Sequence, residues 1–230
     1  MRKFILAILI LTVSFIVDAK NYSTDQTKLC SYDENLTCDL NNEPLNGILI
    51  SSNSSEVKVE SNFKDGRKEG IQKGYTKDGI LLFEMNFKDG KRDGFSKGYD
   101  INGNLIYEET FKNGKSDGFL KNYDRTAQLR IEENIKDNKR ISHKRYSEDG
   151  KLHYEMRFDP KSKNSTEKSY YKNGNIKSEC FFKKERLEGI CKIYDENGRL
   201  SKEDIYKERK LVSSYIYNEE GKKIERMSGK

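Results

Sequence analysis

The sequence has no tryptophan, only two prolines and only two histidines in 230 residues, and just 33% of its residues are hydrophobic. So small an apolar fraction excludes a multi-span membrane protein and argues against a large buried core. The histidines, His143 and His153, do not face each other across the strands predicted below, so we interpret both as surface imidazoles and expect no metal or other cofactor. The chain is nevertheless predicted to fold, because disordered chains seldom carry as many aromatic residues as these 14 tyrosines and 11 phenylalanines.

Charged residues make up 36% of the chain, with 44 Lys and Arg against 38 Asp and Glu. The two signs alternate along the sequence instead of collecting in a basic stretch, so no nucleic-acid partner is expected. The chain lacks both the Gly-rich phosphate loop and the catalytic-loop motif of protein kinases. We therefore predict a protein that is not an enzyme and has no catalytic residues.

Residues 1–19 have the pattern of a secretory signal peptide. Arg2 and Lys3 precede an apolar run over residues 4–17, and Ala19 ends a small-residue cleavage pattern. The alternative is an uncleaved anchor, although the run is shorter than the ~20 residues of a spanning helix. Cleavage would leave no integral membrane segment and would place the protein in the periplasm, on the cell surface or in the medium.

Four cysteines are an even number, which predicts disulfides in an exported chain. Cys30 and Cys38 enclose a loop of seven residues and are expected to be bridged. Cys180 and Cys191 are predicted to lie on one face as diagonal neighbours, at the ~7 Å limit for a disulfide. A bridge and two packed thiols are therefore equal alternatives for this second pair.

Three markers recur in step along the chain and define an internal repeat. The first is an aromatic or aliphatic residue with spacings of 24, 24, 24, 23, 24 and 24: Phe63, Phe87, Phe111, Ile135, Phe158, Phe182 and Tyr206. The second is usually a glycine: Gly79, Gly103, Ala127, Gly150, Gly174, Gly198 and Gly221. The third is a tyrosine: Tyr75, Tyr99, Tyr123, Tyr146, Tyr170, Tyr194 and Tyr217.

Each period contains two turn signals. An Asp-Gly or Asn-Gly pair follows the aromatic marker, as at Asp89-Gly90, and another follows the tyrosine, as at Asn102-Gly103. Both residues of such a pair tolerate positive φ, so we predict two-residue type I′ hairpin turns at both places. The fold class is therefore all-β, an elongated single-layer antiparallel meander of repeated β-hairpins.

The predicted register places a glutamate opposite a lysine in every repeat. The pairs are Glu84 with Lys73, Glu108 with Lys97, Glu132 with Lys121, Glu155 with Lys144, Glu179 with Lys168, and Glu203 with Lys192. Such pairs contribute ~0.2–1 kcal/mol each, and less when exposed. A three-residue loop with the glycine as a bulge is the alternative, and we rank it second because it would break these matches.

The same register places large residues opposite strand glycines, where a ring would cover bare backbone. The pairs are Phe87 with Gly70, Phe111 with Gly94, Tyr107 with Gly98, and Tyr206 with Gly189. Six tyrosines share the face of the glutamates and lysines: Tyr75, Tyr99, Tyr123, Tyr146, Tyr170 and Tyr194. This row is the candidate binding face, since tyrosine is common at interfaces. A repeated aromatic is more often a spine between repeats, and the two roles can coexist.

The phrase F-K-D-G-K-R-D-G-F-S-K-G-Y-D-I-N-G-N-L-I-Y-E-E-T at residues 87–110 resembles the MORN-variant repeat of the bacterial YwqK-like antitoxin family, and the resemblance covers residues 57–225. Departures include Thr126-Ala127 in place of Asn-Gly. The resemblance implies an elongated hairpin array that contacts proteins and has no catalytic residues. It does not carry antitoxin action over to this chain, because an antitoxin meets its toxin in the cytoplasm and the leader directs export.

Three segments are expected: a signal peptide at 1–19, an N-terminal cap with a degenerate first repeat at 20–56, and the repeat array at 57–230. The leading functional prediction is an exported, non-enzymatic scaffold that binds a protein partner, with a homodimer as one form. The alternatives are a cell-wall or carbohydrate-binding module, weakened by the absence of the sugar-stacking residue tryptophan, and an antitoxin-like inhibitor.

Overall fold

The computed structural model describes residues 20–30, 33–52 and 57–228. The predicted signal peptide at 1–19 lies outside these residues. Across the described ranges, the chain has no helix with the length and apolar character needed to cross a bilayer.

One long sheet contains eighteen of the twenty strands. Its strands are β1 (Asn21–Ser23), β4 (Gly47–Ser52), β5 (Lys58–Lys64), β6 (Arg67–Lys68), β7 (Gly70–Tyr75), β8 (Leu81–Lys88), β9 (Lys91–Tyr99), β10 (Leu105–Lys112), β11 (Lys115–Tyr123), β12 (Leu129–Lys136), β13 (Lys139–Tyr146), β14 (Leu152–Phe158), β15 (Ser165–Tyr170), β16 (Ile176–Lys183), β17 (Arg186–Tyr194), β18 (Leu200–Lys207), β19 (Lys210–Tyr217) and β20 (Lys223–Ser228). A separate hairpin pairs β2 (Thr27–Cys30) with β3 (Asp33–Asp39), after a short 3₁₀ helix at Thr24–Gln26.

The sheet is a meander, as the turn pattern predicts. Each strand from β8 to β19 pairs antiparallel with the strand before and after it in the chain. β6 and β7 both pair with β5 and form one strand interrupted at Glu69. β1 differs from the other strands of the sheet because it pairs with β4 in the parallel direction.

Type I′ turns follow six of the seven aromatic markers, as predicted. Both central residues have positive φ in each of them: Asp65-Gly66, Asp89-Gly90, Asn113-Gly114, Asp137-Asn138, Lys184-Glu185 and Glu208-Arg209. Three of these turns contain no glycine. Asparagine and aspartate adopt the left-handed conformation more readily than other residues with a Cβ, so the sheet imposes it on unfavourable residues only at Lys184-Glu185 and Glu208-Arg209. After Phe158 the chain instead forms a four-residue loop, in which the Asp159 amide donates to the Asn164 carbonyl at 2.8 Å and Lys163 has positive φ.

The turns after the tyrosine differ from the prediction. At Asp100–Asn104 the Gly103 amide donates to the Asp100 carbonyl at 3.0 Å and the Asp100 amide donates to the Asn104 carbonyl at 2.9 Å. Only Gly103 has positive φ there, at 83°, so this is a three-residue loop and not a type I′ turn. A β-bulge between Leu105 and Tyr107 then shifts the pairing by one residue and restores the glutamate–lysine register.

The strand glycines also have a different role from the predicted one. Gly94 has a φ of 102° at the bulge between β8 and β9, a conformation that residues with a Cβ rarely adopt. A Cβ there would come 2.8 Å from the Asn86 side chain, and nothing lies within 4 Å of the corresponding position at Gly70. Phe87 and Phe111 lie directly opposite Gly70 and Gly94, as predicted, but neither ring supplies the atoms nearest to the position that a Cβ would occupy there. At Gly98 the opposite aromatic residue does so, because Tyr107 Cβ lies 3.6 Å from that position.

Both cysteine pairs are disulfides. Cys30 is bonded to Cys38, as predicted, and Cys180 is bonded to Cys191. The second pair is directly opposite across β16 and β17, not diagonal as predicted, because a bulge between Cys180 and Phe182 advances the register. A bridge, rather than two packed thiols, is therefore the correct alternative.

The N-terminal segment packs its own small core against the first type I′ turn. Leu45 and Cys38 are fully buried, and Phe63 is 9% exposed. The Thr37 amide donates to the Gly66 carbonyl, and the Gly66 amide donates to the Leu45 carbonyl. These hydrogen bonds attach the β2–β3 hairpin to the edge of the array at which the type I′ turns lie.

Candidate protein-binding face

A row of alternating charges crosses the sheet from β7 to β18. We call it the ladder row, and its members are Lys73, Glu84, Lys97, Glu108, Lys121, Glu132, Lys144, Glu155, Lys168, Glu179, Lys192 and Glu203. Each predicted glutamate–lysine pair is directly opposite across its two strands. Each glutamate except the last also faces a second lysine on its other neighbour, so the separate predicted pairs join into one continuous row.

Four contacts within the ladder row are ion pairs. The Nζ–Oε1 distances are 3.3 Å for Lys73–Glu84, 3.5 Å for Lys121–Glu108, 2.9 Å for Lys144–Glu132 and 3.0 Å for Lys168–Glu179. Lys121 and Lys144 thus bind the glutamate on the strand opposite to the predicted one. Solvent reaches all of these side chains in part, so each pair contributes well under 1 kcal/mol.

The tyrosine row lies beside the ladder row and is hydrogen-bonded to it. The Tyr99 hydroxyl donates to Glu84 Oε2 at 3.1 Å, and the Tyr123 hydroxyl donates to Glu108 Oε1 at 2.6 Å. Burial and the Glu108 carboxylate raise the pKa of Tyr123 to about 12. Each of these bonds joins strands of successive repeats, so the tyrosines act as a spine.

The hydrogen bond from a tyrosine hydroxyl to a ladder-row glutamate recurs twice more along the sheet. The Tyr170 hydroxyl donates to Glu155 Oε2 at 3.2 Å, and that of Tyr217 donates to Glu203. Tyr75, Tyr146 and Tyr194 occupy the matching positions at the ends of β7, β13 and β17 and are half-buried. Burial raises the pKa of Tyr146, with the Glu132 carboxylate adding to the effect.

A third row on this face consists of large apolar side chains, which the sequence analysis missed. We call it the apolar row, and its members are the exposed Ile71, Phe95, Phe181 and Ile190 and the half-buried Phe119. Phe95 is 48% exposed and Ile190 is 46% exposed. The Phe95 and Phe119 ring centroids are 6.2 Å apart, and the ammonium groups of Lys97 and Lys121 lie over these rings at 5.7 Å and 4.6 Å. For every member except Phe181, the sequence signal is a large apolar residue four positions before the tyrosine marker.

The opposite face is more buried than the sequence indicates. Glu109, Glu133 and Asp204 are each less than 9% exposed. His143 is half-buried there, with its side chain 13% exposed and Nδ1 2.7 Å from Glu133 Oε1. Its interpretation as a surface imidazole is therefore wrong, because Glu133 and the Tyr154 ring lie against it.

The second histidine behaves differently. His153 is exposed, in agreement with the surface interpretation. Its predicted partner Tyr146 instead faces Leu152, because a bulge follows the Ser147–Lys151 turn. Within the parts of the chain that the structure describes, no group of three or more His, Cys, Asp or Glu side chains is placed to hold a metal ion.

An acidic side chain on each of several strands caps the next type I′ turn. Glu69 Oε2 accepts the Asp89 amide, Asp93 Oδ2 accepts the Asn113 amide, and Glu188 Oε2 accepts the Glu208 amide, each at 2.9 Å. The sequence signal is the acid that immediately precedes Gly70, Gly94 and Gly189, which the sequence analysis did not use. These caps link one repeat to the next at the type I′ edge.

Comparison with protein families finds the repeat and no curated relative. Four segments match the MORN repeat variant: residues 68–89, 92–113, 163–184 and 187–208. No curated protein matches the chain. The chain thus carries MORN-variant repeats, and the hairpins of β12 to β15 continue the same architecture between the matched segments.

Proposed function

We propose that this chain of MORN-variant repeats is a non-enzymatic, exported protein that binds a protein partner through one face of its sheet. We call this face the ladder face, and it is the surface formed by the ladder, tyrosine and apolar rows. The observation that supports the proposal is the exposed Phe95 ring, which lies 6.2 Å from the half-buried Phe119 ring and beside the lysines of the ladder row.

The composition of the ladder face fits a protein interface. Aromatic anchors surrounded by charged side chains are typical of contact surfaces, where a few large residues supply most of the binding energy. The hydroxyls of Tyr99 and Tyr123 already bind glutamates, so these tyrosines stiffen the surface. Phe95 and Ile190, nearly half exposed, are free to make the apolar contact.

Export is supported by the two disulfides, which are typical of oxidising compartments. We propose the periplasm, the cell surface or the medium as the location, reached through the predicted signal peptide. The antitoxin-like alternative instead requires the chain to remain in the cytoplasm, where these cysteines would be kept reduced. Cell fractionation with thiol labelling separates the two locations.

The binding proposal is tested by photo-crosslinking in the native compartment. A photoreactive residue is placed at Phe95, or at Ile101 as a matched control, which is an apolar turn residue 70% exposed and outside the ladder face. We expect a discrete protein adduct from position 95 that is absent from position 101. The double substitution Phe95→Ser/Phe119→Ser should abolish capture of that protein, whereas Ile101→Ser should not.

Other outcomes count against the proposal. Equal adducts from both positions, or none from position 95, would contradict a specific protein contact on the ladder face. Retention of the purified chain on cell-wall polysaccharide, with loss on the same double substitution, would favour the carbohydrate-binding alternative.

A further inference from the structure

An open cavity of about 500 Å³ lies where the N-terminal hairpin meets the first two type I′ turns. Asn35 and Thr37 of β3 line one side, and Gly66 and Gly90 of the turns line the other. The cavity is separate from the ladder face. No other part of the repeat array has a cap hairpin packed against its turns, so this site does not repeat with the period of the sequence within the described chain.

The charged side chains in this cavity are mostly cationic. Arg67, Lys68 and Lys91 line it together with a single carboxylate, that of Asp89. Among the described residues, none of these three cations has a carboxylate within 4.0 Å, whereas many other cations of the array do. Beside the fourth type I′ turn, for example, Lys136 Nζ is 2.9 Å from Asp117 Oδ2. The cavity therefore carries three positive charges against one negative charge.

Lys68 is the most enclosed of the three cations. Its Nζ lies 5.0 Å from the centroid of the Phe87 ring, and burial lowers the pKa of its ammonium group. An ammonium that loses water without gaining a carboxylate is destabilised, and a bound anion would offset that loss. Arg67 adds a planar fork of donors suited to the two oxygens of an oxyanion.

We propose that this cavity is a binding site for an oxyanion, provided by a carboxylate of an acidic peptide or by a free phosphate. Lys68 and Lys91 supply positive charge and Arg67 supplies paired hydrogen-bond donors. Asp89 opposes binding and keeps the affinity moderate. The site does not depend on the proposed function of the ladder face.

The test is an NMR titration of the exported chain with inorganic phosphate and, separately, with a hexaglutamate peptide, at an ionic strength held constant with sodium chloride. We expect saturable shifts at the Gly66 and Gly90 amides. Saturation by phosphate identifies a free anion as a ligand, saturation by the peptide alone identifies acidic peptides, and saturation by neither overturns the proposal.

Two substitutions that should change the dissociation constant in opposite directions give a sharper test. Lys68→Met should raise the dissociation constant at least tenfold, whereas Lys139→Met, which removes the same charge beside the fourth type I′ turn, should change it less than twofold. Asp89→Asn should lower the dissociation constant two- to threefold, an effect that a loss of folding cannot imitate. Equal weakening by Lys68→Met and Lys139→Met, or weaker binding by Asp89→Asn, would overturn the proposal.

Discussion

The disulfide between Cys180 and Cys191 allows a stability effect to be calculated from the chain itself. It joins residues 11 apart in sequence, and closing a loop of that size removes about 2.8 kcal/mol of conformational entropy from the unfolded state. The double substitution Cys180→Ala/Cys191→Ala should therefore lower the free energy of unfolding by about that amount. Cys30–Cys38 stays intact in this variant and serves as the internal reference.

The hairpin that carries this disulfide has a weak turn. Lys184 and Glu185 both have positive φ, at 48° and 65°, which costs about 1 kcal/mol per residue with a Cβ. Replacing the pair by Lys184→Asn/Glu185→Gly should recover about 1 kcal/mol after the greater entropy of glycine in the unfolded chain is subtracted. The reciprocal change at the turn of β8 and β9, Asp89→Lys/Gly90→Glu, should cost a similar amount.

Urea denaturation followed by circular dichroism measures both effects, with linear extrapolation to water. A loss below 1 kcal/mol on removing the disulfide would refute the loop-closure argument. No gain from the asparagine–glycine turn would refute the claim that backbone strain weakens this hairpin.

Two further predictions concern the bulges and the spine. Gly94→Ala should lower the free energy of unfolding by about 1–3 kcal/mol, because the residue has positive φ and its Cβ would meet Asn86. Gly98→Ala should lower it by less than about 1 kcal/mol. Thermal unfolding distinguishes the two variants, and equal losses would contradict the bulge explanation. Tyr123 should ionise with a pKa of about 12, so its contribution to stability is complete below pH 10 and is lost as the pH rises through 12. Glu108→Gln should shift the ultraviolet titration of Tyr123 toward pH 10, because it weakens the hydrogen bond that the Tyr123 hydroxyl donates. An unchanged titration would contradict that hydrogen bond.

The repeat period predicted the fold because hairpin turn chemistry is local. An Asp-Gly or Asn-Gly pair flanked by strand-forming residues fixes two φ angles and thereby one hairpin. Repeating that hairpin along the chain produces the meander. The loops after the tyrosine were predicted wrongly because the residue that determines their length, Asp100 in the first example, stands before the Asn-Gly pair. Asp100 Oδ1 accepts the amides of Asn102 and Asn104 at 2.8 Å and 2.9 Å, which selects a longer loop.

The glutamate–lysine register was nevertheless predicted, because two departures offset each other. The longer loop shifts the pairing by one residue, and the bulge beside Tyr99 shifts it back. Periodicity alone does not reveal such a bulge, because an extra residue in one strand of every repeat leaves the spacing of the markers unchanged. The partial burial of His143 escaped prediction because it depends on contacts with Glu133 and Tyr154 in the assembled sheet.

The most direct test of the account is the pattern of cross-strand nuclear Overhauser effects around Glu108. The continuous ladder row places this residue opposite Lys97 on one neighbouring strand and Lys121 on the other. We expect contacts from the Glu108 backbone to both lysines in the same sample. Contacts to Gly98 and Asn122 instead would mean a one-residue slip, which would move the ladder row off its face and contradict the account.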